Sequence, residues 1–196
     1  EGPRVGALTG TPRIRNRTTL MGRMQIGEFS AIIGLIKRAQ RTYGRLFTLS
    51  GVICAFRRTA LHDVGYWSDR MVTEDIDISW RLQMAGWDIR YEPNALCWIL
   101  MPETLRGLWS QRLRWACGGV EVLLSHGRSV LGWKKRRMWG VLLEYLLSLA
   151  WAYVMLTIIV LWLVGLFVQL PPVWHVDTIL PRWHGVVLAF VCMLQF

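Results

Sequence analysis

The chain has 196 residues, with 23 Lys and Arg against 13 Asp and Glu, a formal net charge of +10, and 53% hydrophobic residues. Of these cations only Arg182 lies after Arg137, and no Asp, Glu, Lys or Arg falls between Tyr145 and Val176, so a basic first part precedes an apolar last part. That split argues against one uniform soluble domain, and the scatter of the cations argues against a nucleic-acid-binding stripe.

In chain order, Arg4–Thr9 reads as a short buried strand with Gly10 behind it, and Pro12–Arg17 as a basic, irregular link. Leu20, Met24, Ile32, Ile33, Ile36 and Ala39 recur mostly at helical intervals between Thr18 and about Tyr43. Lys37, Arg38 and Arg41 suit the negative end of that helix, Gly44 supplies its stop, and nothing in it demands chemistry. Leu46–Phe56 reads as a strand with Ser50 and Gly51 set inside it. A glycine there marks either a plain bulge or a close approach of backbone to a ligand. Arg57–Val64 predicts a short helix ended by Gly65, and Glu74 to about Ala85 a second one broken by Gly86. Asp88–Glu92 and Ala95–Leu100 read as two short strands separated by a Pro93-Asn94 turn. Strands alternating with helices make the water-facing part an α/β domain.

The stretch from Val72 to Leu82 is the first candidate for chemistry, because Glu74, Asp75 and Asp77 stand beside Ile76, Ile78 and Trp80. Thr73 or Asp75 can cap the helix, which would put Asp75 at its positive end against an apolar wall. A carboxylate held there can act as a general base, and the alternative is ordinary helix capping. After Met101-Pro102-Glu103-Thr104 comes a helix with an apolar stripe through Leu105, Leu108, Trp109, Leu113, Ala116, Val120, Leu123 and Leu124. With Arg106, Arg112, Arg114 and Arg128 on it, this is a basic amphipathic helix suited to a membrane interface. Within it Gln111, Arg114 and Trp115 stand at i, i+3 and i+4 and share a face. An amide, a forked cation for phosphate and a flat plate for a sugar ring suit a nucleotide-sugar reaction. The alternative is an arginine–tryptophan membrane anchor.

The Lys134–Arg137 cluster abuts a long apolar run, Trp139–Leu170, that exceeds the ~20 residues needed to cross a bilayer. Flanking cations put that edge on the cytoplasmic side and in reach of anionic lipid head groups. Pro171-Pro172 ends the run, and Gly185–Phe196 begins another apolar segment. The four cysteines, Cys54, Cys97, Cys117 and Cys192, lack metal or redox spacing and read as packed thiols. The chain opens on Glu1-Gly2-Pro3 and stops inside an apolar run, which reads as a fragment.

Thr73-Glu74-Asp75, followed by Gln111-Arg112-Leu113-Arg114-Trp115 and then an apolar span, resembles the processive family-2 glycosyltransferases, the group of cellulose, chitin and hyaluronan synthases. The longer phrases SGVICAFRRTALHDVGYWS, TEDIDISWRLQ and CWILMPETLRGLWSQRLRWACGG resemble the branch that makes bacterial poly-β-1,6-N-acetylglucosamine. The resemblance runs from Val5 to about Tyr153. It implies the C-terminal half of a GT-A-type α/β domain over residues 1–103, and an interfacial helix with a basic juxtamembrane segment over 104–138. A transmembrane helix would follow over 139–170, an external loop over 171–183 and the start of a second membrane helix over 184–196.

The same resemblance implies Asp75 as catalytic base and UDP-N-acetylglucosamine as donor, with inverting transfer to a growing β-1,6-linked exopolysaccharide. Gln111, Arg114 and Trp115 match the motif that binds the donor diphosphate and stacks near the acceptor, Glu74 supports the site, and Ser50 and Gly51 line the acceptor channel. A multi-pass protein of the bacterial inner membrane is implied, with its catalytic domain cytoplasmic. Membrane lipids and a small membrane subunit are the further partners. A divalent metal, Mg2+ or Mn2+, is expected in the full-length enzyme, but no Asp-x-Asp precedes Thr73. Its main ligands are therefore expected outside these residues, and the isolated chain is expected to be inactive. Side-chain chemistry leaves open a cellulose, chitin or hyaluronan type of synthesis, or a membrane-anchored module without catalysis.

Overall fold

The strand on which the fold is built, β1 (Val5–Ile14), runs five residues further than the apolar stretch Arg4–Thr9 predicts. In the computed structural model, which describes residues 2–42 and 44–176, β1 is the middle of a three-stranded sheet ordered β2-β1-β3. It pairs antiparallel with β2 (Cys54–Phe56) only from Ala7 to Thr9, and parallel with β3 (Asp88–Ile99) along most of its length. Past Thr9 one edge of β1 is therefore unpaired by strand, the setting in which the missing N–H of Pro12 is tolerated.

The Pro93-Asn94 signal does not divide β3 in two. The register jumps from Thr9↔Tyr91 to Thr11↔Leu96, so four residues of β3 bulge out opposite Gly10. A β-carbon on Gly10 would collide with the Ala95 carbonyl and with Ile53 Cδ1, which is why glycine stands there. Thr11 fixes the bulge, with its Oγ1 2.8 Å from the Tyr91 hydroxyl and donating to the Pro93 carbonyl at 3.0 Å.

The expected strand over Leu46–Phe56 is mostly a loop, anchored by buried Leu46 and Leu49 and exposed at Gly51 and Val52. Its backbone is satisfied by side chains instead of a sheet partner: the Gln83 amide brackets Leu46 on both sides, at 3.1 and 2.7 Å, and Ser79 Oγ accepts from Leu49 N at 2.8 Å. A run of apolar residues buried in this way carries the composition of a strand without its ladder. Only after a tight turn, closed by Ile53 N donating to Ser50 O at 3.0 Å, does β2 begin.

The long helix predicted from Thr18 is three consecutive segments: α1 (Leu20–Ala31), a π-helical turn (Ile32–Ile36) and α2 (Lys37–Thr42). α3 (Arg58–Val64) and α4 (Glu74–Met84) lie close to their predicted bounds, and Gly65 and Gly86 stop them at positive φ. α4 is buried nearly all round. Ile78 and Leu82 face a core with Ala7, Leu49, Ala60 and Ile89, while Ile76 and Trp80 face a second core with Val122, Val130 and Met138. Each pair is four residues apart, so two opposite stripes of one helix join two cores.

α5 (Leu105–Val130) starts at Thr104, whose Oγ1 accepts from Gly107 N at 3.2 Å. It buries Gly118, Gly119, Val122 and Val130, while Leu105, Trp109, Leu113 and Leu124 of the predicted apolar stripe stay exposed. The basic cluster lies on a 3-10 turn, Trp133–Met138, followed by α6 (Trp139–Gly165). The chain falls into two units, Glu1–Leu143 and Glu144–Phe196, so α5 and the basic turn belong to the first. Trp133–Gly165 is long and apolar enough to cross a membrane by length and composition, and ends five residues before the predicted Leu170. The second apolar segment over 184–196 and most of the loop over 171–183 lie outside the described residues.

Candidate active site

Asp75 sits in the first turn of α4, half-buried. Its Oδ1 accepts from Ile76 N at 2.9 Å, and the nearby backbone N–H of Gly51 also favours the charge of the carboxylate. Burial pushes the Asp75 carboxyl above its ordinary range, with Glu74 adding to the effect, while the Ile76 and Gly51 N–H groups and Lys37 oppose it. A partly buried carboxylate at a helix start with a raised affinity for protons has the character of a general base. Thr73 precedes it at the cap position, but no side-chain cap bond forms, and its hydroxyl is buried without a partner. Glu74 is exposed.

The Ser50–Gly51 turn lies directly against Asp75. A β-carbon on Gly51 would stand 3.6 Å from Asp75 Oδ2, in ordinary contact, so the turn backbone forms one wall beside the carboxylate. The turn is held from three elements. Ser50 N donates to Thr9 Oγ1 of β1 at 2.8 Å, Ser79 of α4 bonds the preceding Leu49, and Lys37 of α2 donates to Ser50 Oγ at 2.6 Å. Lys37 is only 4% exposed, and burial pulls its ammonium down to about 8 against the attraction of Asp75. The sequence reads this lysine only as a cation complementing a helix end, because its place on the buried face depends on the π turn at Ile32–Ile36.

The Gln111, Arg114 and Trp115 group reaches this neighbourhood through α5. Gly118, seven residues after Gln111 and three after Trp115, is packed so tightly on Thr73 that no β-carbon fits between them. Positions 111, 115 and 118 share one helix face, so that face meets the start of α4 two residues before Asp75. Trp115 is half-buried, with its ring centroid 6.3 Å from that of Phe29 on α1. The cation over its ring is Arg112, at 4.6 Å, which also pairs with Glu28 at 2.6 Å. Arg114 is exposed and unpaired among the described residues. Gln111 has its Nε2 4.0 Å from Met101 Sδ and its Oε1 buried with no partner. Neither Arg112 nor Phe29 was singled out from the sequence.

Asp75 and Asp77 form an Asp-x-Asp in sequence but not in space. Two residues on a helix are about 200° apart. Asp77, 1% exposed, accepts from Arg81 Nε and sits at the same 2.7 Å from His126 Nε2. Burial raises its pKa, but the bonds from His126 and Arg81 outweigh it and hold the carboxyl below its ordinary range. It locks α4 to α5, and Arg81 further bonds the carbonyls of Val64 and Tyr66. Among the described residues no three His, Cys, Asp or Glu side chains converge, so these residues do not by themselves fit a divalent cation. A separate cleft of about 350 Å3, lined by Arg13, Arg17, Arg38 and Tyr91, shares Phe29 with the Trp115 wall but holds none of the predicted site residues.

Comparison with known proteins identifies the family and the fold. The family model described as glycosyl transferase family group 2 matches residues 1–194. The poly-beta-1,6-N-acetyl-D-glucosamine synthase of Staphylococcus epidermidis is 47% identical over 156 residues, 80% of this chain and 38% of that protein. The synthase of the same name from Staphylococcus aureus (strain COL) is 47% identical over 154 residues, 79% of this chain and 37% of that protein. The chain thus spans less than two fifths of the length of these relatives. Among solved structures, a mannosyltransferase from Pyrobaculum calidifontis in complex with GDP-Man and Mn2+ superposes with a TM-score of 0.58 at 18% identity, covering 99% of this chain and 48% of that one. That likeness establishes a GT-A-like glycosyltransferase fold, and with the family match over nearly every residue, the chain belongs to glycosyl transferase family group 2.

Proposed function

We propose that this chain is the acceptor-side and membrane-proximal part of a processive synthase that adds N-acetylglucosamine from UDP-N-acetylglucosamine to a β-1,6-linked exopolysaccharide of bacterial biofilms. The observation that carries the reading is the Gly118–Thr73 contact, which sets the Gln111–Trp115 face against the helix start bearing Asp75. The 47% identity to the staphylococcal synthases supports the choice of sugar and linkage.

In the reaction, Asp75 takes the proton from the acceptor hydroxyl as that oxygen attacks the anomeric carbon. The new C–O bond forms as the bond to the UDP oxygen breaks, which inverts the α donor to a β product. Negative charge grows on the departing diphosphate, where Arg114, exposed and uncommitted, and the Nε2 donor of Gln111, held only by a long contact to Met101 Sδ, would meet it. Trp115 would stack the acceptor end, Ser50 and Gly51 would line its channel, and Glu74 would support the site. A divalent cation such as Mg2+ or Mn2+ would supply Lewis-acid charge to the diphosphate from ligands elsewhere in the enzyme.

The exposed apolar stripe of α5, the Lys134–Arg137 cluster and the apolar helix after it suit a multi-pass protein of the inner membrane with a cytoplasmic catalytic domain. Lipid contacts and a small membrane subunit complete the proposed partners. Labelled UDP-sugars fed to membranes carrying the full-length protein test the reading. It expects incorporation from UDP-N-acetylglucosamine into a polymer cut by a β-1,6-specific hydrolase. Incorporation from UDP-glucose, or a polymer cut only by a β-1,4-specific enzyme, would overturn it.

A further inference from the structure

Lys37 is a buried cation without a carboxylate in salt-bridge range among the described residues, and one of its three N–H donors is taken, by Ser50 Oγ. An ammonium removed from water is costly unless its surroundings compensate it, so its placement needs a reason.

The helix is built to put it there. Among its described residues Gly22, Gln25, Ile33, Lys37 and Gln40 are buried, with Phe29 partly buried between Gln25 and Ile33. From Gln25 to Lys37 this face advances in steps of four residues. Three such steps overrun a straight α-helix by about 120°, since each residue turns about 100°. The π turn at Ile32–Ile36 takes up one extra residue and removes about 100° of that drift. Without it Lys37 would swing away from Phe29 and toward water. With it, the ammonium reaches Ser50 Oγ in the turn whose Gly51 lies against Asp75.

The charged and titratable groups around this point are few. Glu74 on α4 repels the Asp75 charge, Lys37 on α2 attracts it, and Cys54 on β2 faces both, its thiol pushed up by burial and by Asp75. Lys37 is thus the one cation among them that opposes the burial of the Asp75 carboxylate.

We infer that Lys37 is a positioning residue for the transfer reaction: it pins the Ser50–Gly51 turn against Asp75, and its buried charge keeps that carboxylate ionised and ready to accept a proton. The inference rests on Asp75 being the base. It separates two contributions, a hydrogen bond to Ser50 and a positive charge, that substitutions can remove one at a time.

The test is polymer formation from UDP-N-acetylglucosamine, followed against pH, in membranes carrying the full-length protein with Lys37→Gln, Lys37→Met, Lys37→Arg or Asp75→Asn. Glutamine keeps a donor for Ser50 and loses the charge. Its acidic limb of kcat/KM should move to higher pH, because a positive charge that favours the carboxylate is lost, with activity recovering above that limb. Methionine should show the same displacement with a lower plateau, and arginine should leave the limb in place. Coincident limbs for wild type and both neutral variants would overturn the inference. So would a Lys37→Gln protein that accumulates yet is inactive at every pH, or failure of both neutral variants to accumulate while Asp75→Asn does, which would assign Lys37 to the fold alone. If Asp75→Asn itself retained activity, the base assignment would fall whatever Lys37 did.

Discussion

Gly118 of α5 and Thr73 at the head of α4 touch with no space for a β-carbon between them. This contact sets how far the Gln111–Trp115 face stands from Asp75, because Trp115 lies one turn before Gly118 and Asp75 two residues after Thr73. Gly118→Ala should push the two helices apart. The expected result is at least tenfold less polymer per unit of membrane protein, with a stability loss of about 1–3 kcal/mol, the usual cost of overpacking a tight contact. Quantitative immunoblotting beside the activity assay separates the two effects.

Trp115 is wedged between Phe29 and the guanidinium of Arg112. Trp115→Ala should stop polymer formation by about 100-fold while leaving membrane insertion intact, the scale of loss seen when a positioning contact in an active site is misplaced. Arg112→Ala removes a partly exposed pair with Glu28, and should cost no more than about 1 kcal/mol of stability. A larger activity loss for Arg112→Ala than for Trp115→Ala would move the functional weight from the ring to the cation.

Asp77 makes a different kind of prediction. Its carboxyl is held below the ordinary value of 3.8, so its ionised form stabilises the fold. That contribution is fully present above the unfolded-state pKa and is lost as pH falls through the depressed folded-state pKa. The protein's thermal midpoint in detergent should therefore drop steeply at acid pH in wild type, and less steeply in Asp77→Ala. At neutral pH, Asp77→Ala should lose about 3–5 kcal/mol, because Arg81 and His126 are left without their buried partner. An unchanged midpoint would show the network to be dispensable.

Much of this arrangement was legible beforehand. The helix beginning at Glu74 could be read because its acidic first turn and Gly86 stop are local signals. The Leu46–Phe56 loop could not, since buried Leu46 and Leu49 give it a strand-like composition, and the side chains of Gln83 and Ser79 that replace a ladder come from 37 and 30 residues away. Pro93-Asn94 reads as a break because a proline turn and a bulge look alike until the partner strand is known. In the site, the Thr73–Asp75 and Gln111–Trp115 segments were visible as motifs. Lys37 and Phe29 were not, because their importance arises from a π turn that no local pattern announces.

Because burial raises the Asp75 carboxyl above its ordinary range, ionising it works against folding: the stability it lends is present below the unfolded-state pKa and is lost as pH rises through the folded-state value. Asp75→Asn should consequently leave the neutral-pH thermal midpoint unchanged or raise it, which makes it a clean probe of chemistry. The decisive measurement is the rate of N-acetylglucosamine incorporation by membranes carrying full-length Asp75→Asn, normalised to protein. A fall of at least about 100-fold with normal accumulation is the expected result, in line with the loss of a general base. Incorporation at the wild-type rate would contradict the assignment of Asp75 and, with it, the catalytic reading of the site where α4 meets α5.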